Sequence, residues 1–157
     1  MVCFPLHAQC MSLGALTMKM LLLAAGLVLA FWTGSASAAS IEARIDISEQ
    51  KMVVYHNGMP RHTWPVSTGR RGYITPTGSY RPTRMTKMHY SRKYHNSPMP
   101  YSIFFRGGYA IHGTSDVKRL GNPASHGCVR LHTDNARTLY SLVKNAGAKN
   151  ARITITH

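Results

Sequence analysis

The sequence has 157 residues, 44% of them hydrophobic, and carries 19 Lys and Arg against 5 Asp and Glu, for a formal net charge of +14. Such a chain is long enough for one domain with a modest core. A strong excess of positive charge often indicates nucleic-acid binding. No DNA- or RNA-binding motif is present, however, and the aromatic residues do not interleave with the basic pairs, which argues against a nucleic-acid partner. There is no internal repeat and no linker, so the composition favours a single domain.

Residues 1–39 are predicted to be a signal peptide. A single positive charge at Lys19 precedes an apolar run of 13 residues at positions 20–32, and small residues follow at positions 33–39. Cleavage is expected after Ala38 or Ala39, which places the mature protein in the periplasm or cell envelope. The first 17 residues have no periodicity and are interpreted either as an extended n-region or as the result of a start codon assigned too far upstream. An uncleaved anchor is the alternative, and the chain would then contact the membrane only through this leader.

Cleavage would leave Cys128 as the one cysteine of the exported domain at residues 40–157, because Cys3 and Cys10 belong to the leader. The mature chain could then form no internal disulfide. A lone thiol in an oxidising compartment is a liability unless it has a function, so the cysteine count favours a catalytic thiol. In that compartment the positive charge points to anionic envelope polymers or lipid head groups as partners. Charge that only maintains solubility is the other interpretation.

Alternating apolar and polar residues predict that the domain is mainly β. The first strand covers residues 41–47 and the second covers residues 51–56. Asn57-Gly58 is then a typical hairpin turn into a third strand at residues 59–67. Pro65 indicates that this strand ends early or lies at a sheet edge. Residues 85–100 are polar, aromatic and irregular, and we expect a long loop there that forms a wall or lid of a cleft. Further strands are predicted at residues 80–84, 101–105, 109–112 and 152–156, the last of them inside a sheet.

One helix is expected after residue 132. Thr133 or Asp134 would cap its N-terminus, and Gly147 would end it. Four apolar residues fall on one face of this helix: Ala136, Leu139, Tyr140 and Val143. The predicted fold class is therefore mainly β, a single compact domain with one α-helix packed against a sheet.

The chemistry-bearing residues cluster around Cys128, which lies in the polar segment 125–130, Ser-His-Gly-Cys-Val-Arg. If this segment is extended, His126, Cys128 and Arg130 share one face. A free thiol has a pKa near 8.5, and neighbouring positive charge increases its thiolate fraction. His112, 16 positions before Cys128, is a candidate base. The pattern indicates a cysteine nucleophile activated by a histidine and reacting well below the ordinary thiol pKa.

A zinc site is the main alternative for these residues, since His112, His126, Cys128 and His132 are all capable ligands. The spacing matches no common zinc pattern, because there is no Cys-x-x-Cys pair and no second thiol in the mature chain. We therefore expect neither a metal nor a cofactor. A Cys–His pair without any function is the remaining alternative.

Residues 111–131, with the His112-Gly113 pair, a short loop and the Ser-His-Gly-Cys motif, resemble the L,D-transpeptidase catalytic domain of the YkuD type. Weaker similarities occur at residues 75–78 and 99–101, so the resemblance covers roughly residues 41–155. It implies a compact β-sandwich of mixed sheets. It also implies that Cys128 attacks the carbonyl of an L-centre followed by a D-residue, forming a thioester that an amine resolves.

The resemblance makes His112 the base, oriented by the backbone carbonyl of Gly113, where some relatives carry serine. Backbone N–H groups of Gly127 and Cys128 are the natural donors to the oxyanion, because glycine lets the main chain approach a substrate. Arg130 is suited to a substrate carboxylate, although a structural ion pair or thiolate stabilisation would also explain it. We expect His126 to support the pocket rather than exchange protons, and Ser125 to brace the turn.

The implied function is peptidoglycan L,D-transpeptidation in cell-wall cross-linking or remodelling. Its partners would be peptidoglycan stem peptides, with an envelope protein as another conceivable acyl acceptor. Two alternatives stay open. One is a cysteine hydrolase on the same scaffold, either an L,D-carboxypeptidase or an enzyme that releases wall proteins. The other is a noncatalytic wall-binding module, which would not need an intact Cys–His pair.

Overall fold

Two β-sheets and one α-helix make up residues 39–157, the part of the chain that the computed structural model describes. The predicted signal peptide, except for Ala39, lies outside the described residues, and so do Cys3 and Cys10. Among residues 39–157, no helix has the length and apolar character that crossing a membrane requires. The mainly β fold class predicted from the sequence is confirmed.

The first sheet has five strands in the order β3-β2-β1-β9-β4. In β1 the predicted alternation is observed, since Ile41, Ala43 and Ile45 are buried while Arg44 is exposed. Strands β1 and β9 run parallel, and the other neighbours run antiparallel. The interior position predicted for the last strand is confirmed. The strands are β1 Ile41–Asp46, β2 Lys51–His56, β3 Met59–Pro65, β4 Gly78–Tyr80 and β9 Ala151–Thr156.

The predicted hairpin at Asn57-Gly58 joins β2 to β3. Both residues have positive φ, +50° and +77°, as a two-residue turn between twisted strands requires. Strand β3 lies at the edge of its sheet and ends at Pro65, in agreement with the effect expected of that proline.

The second sheet has four strands in the order β5-β6-β7-β8, and only β7 and β8 run parallel. Buried side chains from both sheets form one core, in which Ile45 and Ile153 of the first sheet join Ile103 and Ile111 of the second. The four strands are β5 Arg84–Ser91, β6 Ser97–Arg106, β7 Tyr109–Thr114 and β8 Val129–His132.

The prediction of a long loop at residues 85–100 is wrong. These residues form most of an antiparallel hairpin, with His89 opposite Met99 and a short 3-10 turn at Arg92–Tyr94. The prediction rested on the polar, aromatic and irregular composition of these residues, and the exposed side chains of β5 hid its alternation. Strand β6 also contains two prolines, Pro98 and Pro100, which are uncommon inside sheets. The strand predicted at residues 80–84 is also wrong, because β4 ends at Tyr80 and β5 begins at residue 84.

Helix α1, Thr133–Ala146, follows the motif as predicted and packs mainly on β6 and β7. Ala136, Leu139 and Val143 are buried, and Tyr140 is partly buried against the core. The cap differs from the expected one, because the His132 side chain accepts a hydrogen bond from the Asp134 N–H at 3.3 Å. Gly147, with φ of +84°, ends the helix as predicted.

Candidate active site

A cleft of about 880 Å³ is lined by five of the candidate site residues, whereas Gly113, Gly127 and His132 do not line it. The size is typical of sites for small ligands or peptides. One wall comes from β7 and β8, and the β5–β6 hairpin forms another. The candidates that line the cleft are His112, Ser125, His126, Cys128 and Arg130.

The parallel pairing of β7 and β8 positions the central residues. His112 lies directly opposite Arg130 in this ladder. Cys128 comes two residues before Arg130, in the turn that leads into β8. Two segments separated by 16 positions in the sequence are therefore joined by backbone hydrogen bonds, which fix the histidine and the thiol in one cleft.

His112 is held as a neutral imidazole with a defined tautomer. Its Nδ1 lies 2.8 Å from the carbonyl oxygen of Gly113, and because a carbonyl only accepts, Nδ1 carries the proton and Nε2 has the free lone pair. The pKa of His112 is lowered to about 4, chiefly by burial and to a smaller extent by the nearby Arg130 and His89, against the opposing hydrogen bond to Gly113. At neutral pH this side chain can therefore accept a proton.

Gly113 leaves no room for a side chain in this protein. A Cβ at this position would lie 2.9 Å from Cα of Thr133, at the start of α1, and 3.1 Å from the ring of Pro100. The close packing keeps the Gly113 carbonyl in place beside His112. A serine here would require the start of the helix to shift.

Cys128 is half-buried, with Sγ 3.9 Å from the carbonyl oxygen of Gly108. Burial raises the pKa of the Cys128 thiol above its ordinary value, against the lowering effects of a backbone hydrogen bond at Ala110 and the positive charge of Arg130. The sequence predicted a lowered pKa for this thiol, and that prediction is wrong. Removal of the thiol from water raises its pKa by more than the neighbouring positive charge lowers it. At rest, both the thiol and the imidazole are neutral.

Residues 125–128 form a tight turn, not the extended segment considered above. The Ser125 hydroxyl donates to the Cys128 carbonyl at 2.6 Å and accepts from the Gly127 N–H at 2.9 Å. Gly127 has φ of +110°, and a Cβ there would lie 2.6 Å from the ring of Tyr109. His126, Cys128 and Arg130 reach the same cleft through this turn and not through strand alternation.

These contacts change the expected oxyanion donors. The Gly127 N–H is occupied by Ser125 Oγ, so its predicted role as a donor to the substrate is not supported. The N–H of Cys128 is the remaining candidate of the pair. Ser125 has the bracing position that the sequence predicted, since its hydroxyl joins two backbone groups of the turn that carries the thiol.

His126 is enclosed by other side chains. Its ring stacks on Tyr94 at 4.4 Å and 14°, and Tyr73 packs edge-on at 4.5 Å. Arg70 Nη2 lies 2.9 Å from Nε2 of His126, and because a guanidinium only donates, this nitrogen is an acceptor. Partial burial and nearby positive charges lower the pKa of His126. The arrangement fits a supporting role in the cleft wall.

Arg130 forms a long ion pair, with Nη1 3.8 Å from Oδ2 of Asp116, and its side chain is 22% exposed. Asp116 also contacts Arg119 at 3.4 Å. A contact of 3.8 Å leaves Arg130 able to bind a second carboxylate in the cleft. Arg130 can therefore form a structural ion pair and also bind a substrate carboxylate, the two roles that the sequence suggested for it.

Sequence reasoning missed the side chains that the β5–β6 hairpin contributes to the cleft. They include Arg84, His89, Tyr90, Arg92, Lys93 and Tyr94. The irregular composition of residues 85–100 did suggest a cleft wall, but it gave no register from which individual residues could be chosen. Within residues 39–157, no three His, Cys, Asp or Glu side chains are close enough to hold a metal ion.

The chain is similar in sequence to known proteins. The family model for the L,D-transpeptidase catalytic domain, YkuD, matches residues 41–155. The YkuD protein of Bacillus subtilis is 25% identical over 115 residues, which cover 71% of this chain and 63% of that protein. This chain therefore spans less than two thirds of that relative's length.

Solved structures give the same fold. An L,D-transpeptidase from Mycobacterium smegmatis superposes with a TM-score of 0.68 at 20% identity, over 76% of this chain and 59% of that one. L,D-transpeptidase 3 from Mycobacterium tuberculosis, in complex with a faropenem-derived adduct, gives 0.64 at 20% identity, over 75% and 60%. The family match runs from β1 to β9 and includes both His112-Gly113 and the turn that carries Cys128, so this chain belongs to the YkuD-type L,D-transpeptidase catalytic domain family.

Proposed function

We propose that this protein is a peptidoglycan L,D-transpeptidase, which transfers an acyl group from a stem peptide to an amine through a thioester on Cys128. The observation that carries the proposal is the neutral His112, whose Nδ1 is fixed by Gly113 and which lines the same cleft as the thiol. A base of this kind is what a protonated cysteine nucleophile requires. A noncatalytic wall-binding module would not require a neutral, oriented imidazole beside a thiol.

In the first half of the reaction, Cys128 Sγ attacks the carbonyl carbon of the L-centre while Nε2 of His112 takes the thiol proton. A carbon–sulfur bond forms, and the carbon–nitrogen bond to the D-residue then breaks. His112 returns the proton to the leaving amine, and the D-residue departs. Because thiol and imidazole are both neutral at rest, proton transfer accompanies the attack and no thiolate needs to accumulate.

In the second half, the amine of an acceptor attacks the thioester and gives its proton to His112. The new amide bond forms, the carbon–sulfur bond breaks, and the sulfur takes the proton back from His112. The Cys128 N–H stabilises the oxyanion in both halves, and one such donor contributes about 3 kcal/mol to transition-state stabilisation. Arg130 binds a substrate carboxylate beside its contact with Asp116.

Product analysis with a disaccharide-tetrapeptide, in the presence and absence of an amine acceptor, tests the reaction type. Transpeptidation predicts an acceptor-dependent amide product, whereas release of the D-residue alone would assign the protein to the hydrolases. Cys128→Ala and Cys128→Ser should abolish both products with the fold intact by circular dichroism. Near-full activity of Cys128→Ala would contradict the mechanism.

The two histidines should differ in single-turnover acylation. His112→Ala is expected to slow thioester formation by about 10²–10⁴-fold through loss of the general base. His126→Ala should slow it much less and lower the melting temperature, since the Tyr94 and Tyr73 contacts disappear. The opposite order of effects would transfer the role of base to His126.

Faropenem offers an independent probe, because the Mycobacterium tuberculosis relative is described with a faropenem-derived adduct. The carbonyl of a β-lactam can acylate a cysteine thiol, so it can react with Cys128 in place of the substrate. Intact-mass spectrometry should show one adduct per chain, mapped by peptide analysis to Cys128 and absent from Cys128→Ser. An adduct on the Cys128→Ser protein would show that labelling is not specific for the site.

We further propose an exported location, supported by the leader-like residues 1–39. The protein purified from its native host should begin near Ala39 or Ser40 and fractionate with the periplasm or envelope. Recovery of an intact segment 20–38 from membranes would establish an anchor instead.

A further inference from the structure

The β5–β6 hairpin gives the cleft a cationic wall formed by Arg84, Arg92 and Lys93. All three side chains are exposed. Within residues 39–157, none of them forms an ion pair; the cleft's Asp116 is instead engaged by Arg119 and Arg130. The β5–β6 hairpin therefore presents unneutralised positive charge to the cleft that also contains the catalytic turn.

Arg84 is held in place by its cross-strand neighbour. It pairs with Phe104 in the β5–β6 ladder, and its guanidinium carbon lies 3.9 Å from the centre of that ring. Phe104 is buried, with only 3% of its surface exposed. An arginine fixed on a rigid ring loses less freedom on binding an anion than a free surface arginine does.

His89 shows that the charge of this wall reaches into the cleft. Its ring packs edge-on against Phe104 at 5.2 Å and 87°. Its pKa is lowered first by partial burial and then by the positive charges of Arg84 and Arg92. His89 also lowers the pKa of His112, so the ring on which Arg84 and Arg92 act lies within electrostatic range of the catalytic imidazole.

We propose that this cationic wall makes the enzyme select stem peptides with free carboxylates along the stem over stems in which those carboxylates are amidated. The inference rests on the proposed acyl-transfer function and names the substrate class of the same site. A carboxylate can pair with Arg84, Arg92 or Lys93, whereas a carboxamide leaves their charge uncompensated. Charge-assisted pairs of this kind, partly screened by solvent, give a preference of about tenfold.

The test uses two tetrapeptide donors that differ only in one carboxylate upstream of the scissile bond, free in the first and a carboxamide in the second. The wild-type protein should turn over the free acid with a kcat/KM about tenfold higher, mainly through KM, and the ratio should shrink as salt rises. Arg84→Gln should reduce the ratio to about twofold or less. Arg84→Lys should keep part of it, because the charge remains.

Arg106→Gln is the matched control, since Arg106 is an exposed arginine on β6 that does not line the cleft. Its ratio should equal that of the wild type. Melting curves of each variant show whether loss of the Phe104 contact has affected the fold. Binding of both donors to Cys128→Ala by calorimetry repeats the comparison without turnover and should give the same order of affinity.

Equal kcat/KM for the two donors in the wild type, or an unchanged ratio in Arg84→Gln, would overturn the selectivity and leave the proposed function standing. An equal loss of the ratio in Arg106→Gln would also overturn it, because the preference would then come from net charge alone. Absence of turnover and binding with both donors would instead refute the proposed function, and the selectivity with it.

Discussion

Acidification should destabilise this protein through one buried side chain, His112. Only 6% of its surface is exposed, and burial lowers its pKa to about 4, against 6.5 for the unfolded chain. The fold thus favours the neutral imidazole, and the unfolded chain takes up a proton first as the pH falls. The stability that His112 contributes is fully present above pH 6.5 and is lost as the pH falls from 6.5 through about 4.

The gap between 6.5 and about 4, at about 1.4 kcal/mol for each pH unit, corresponds to roughly 3–4 kcal/mol of unfolding free energy, of which roughly 3 kcal/mol is lost by pH 4. That is a large fraction of the stability of a typical domain. Urea unfolding at pH 7 and at pH 4 measures the loss, and His112→Asn isolates the contribution of this histidine. The variant should lose roughly 3 kcal/mol less than the wild type over the same pH interval.

His157→Asn serves as the control, because His157 is exposed at the far end of the chain, and it should follow the wild-type pH dependence. Turnover provides a second readout, since a protonated His112 cannot accept the thiol proton and activity should fall towards pH 4. If wild type and His112→Asn lost the same unfolding free energy between pH 7 and pH 4, the neutral buried imidazole inferred here would be wrong.

Three further predictions concern the turn that carries the nucleophile. Alkylation of Cys128 should follow an apparent pKa above that of a small-molecule thiol measured in parallel, because burial raises the pKa of this thiol; a midpoint below the reference would restore the thiolate that the sequence suggested. Gly127→Ala should lower the free energy of unfolding in urea by well over 1 kcal/mol, because its φ is +110° and the new Cβ would overlap the ring of Tyr109. Gly121→Ala is the control: its φ is +87° and no atom lies within 4 Å of the new Cβ, so only about 1 kcal/mol of backbone strain is expected. Equal costs would show that the overlap is relieved. Ser125→Ala should lower stability by about 1–3 kcal/mol by removing both of its hydrogen bonds within the turn, and an unchanged melting temperature would refute the bracing role.

Local patterns in the sequence predicted the elements whose side chains face the core. The alternation in β1, the Asn57-Gly58 turn and the apolar face of α1 each follow from one periodicity or one turn residue. The loop predicted for residues 85–100 was not found, because arginine, histidine and tyrosine side chains of β5 face a cleft and not a hydrophobic core. Hydrophobic periodicity therefore carried no signal for that strand.

The motif residues of the cleft were predictable from the sequence, whereas the residues that the β5–β6 hairpin contributes and the electrostatics of the site were not. His112 and Cys128 could be identified because the motif places them at a fixed spacing. The sequence shows that Arg130 and His126 are neighbours of the thiol, but it does not show how far Cys128 is removed from water, which decides the direction of its pKa. The stacking of Tyr94 on His126 joins residues 32 positions apart and follows only from the β5–β6 register.

The parallel pairing of β1 with β9 has a consequence for how the chain folds. Ile41 pairs with Ala151, 110 positions later, so β1 waits for almost the whole domain before it gains this neighbour. β4 depends on the same event, because β9 is its partner. Closing so long a loop is entropically costly and such topologies fold slowly. A nascent chain would therefore keep one edge of β1 and the strand β4 available to extended-chain binders such as chaperones until residues 151–156 emerge.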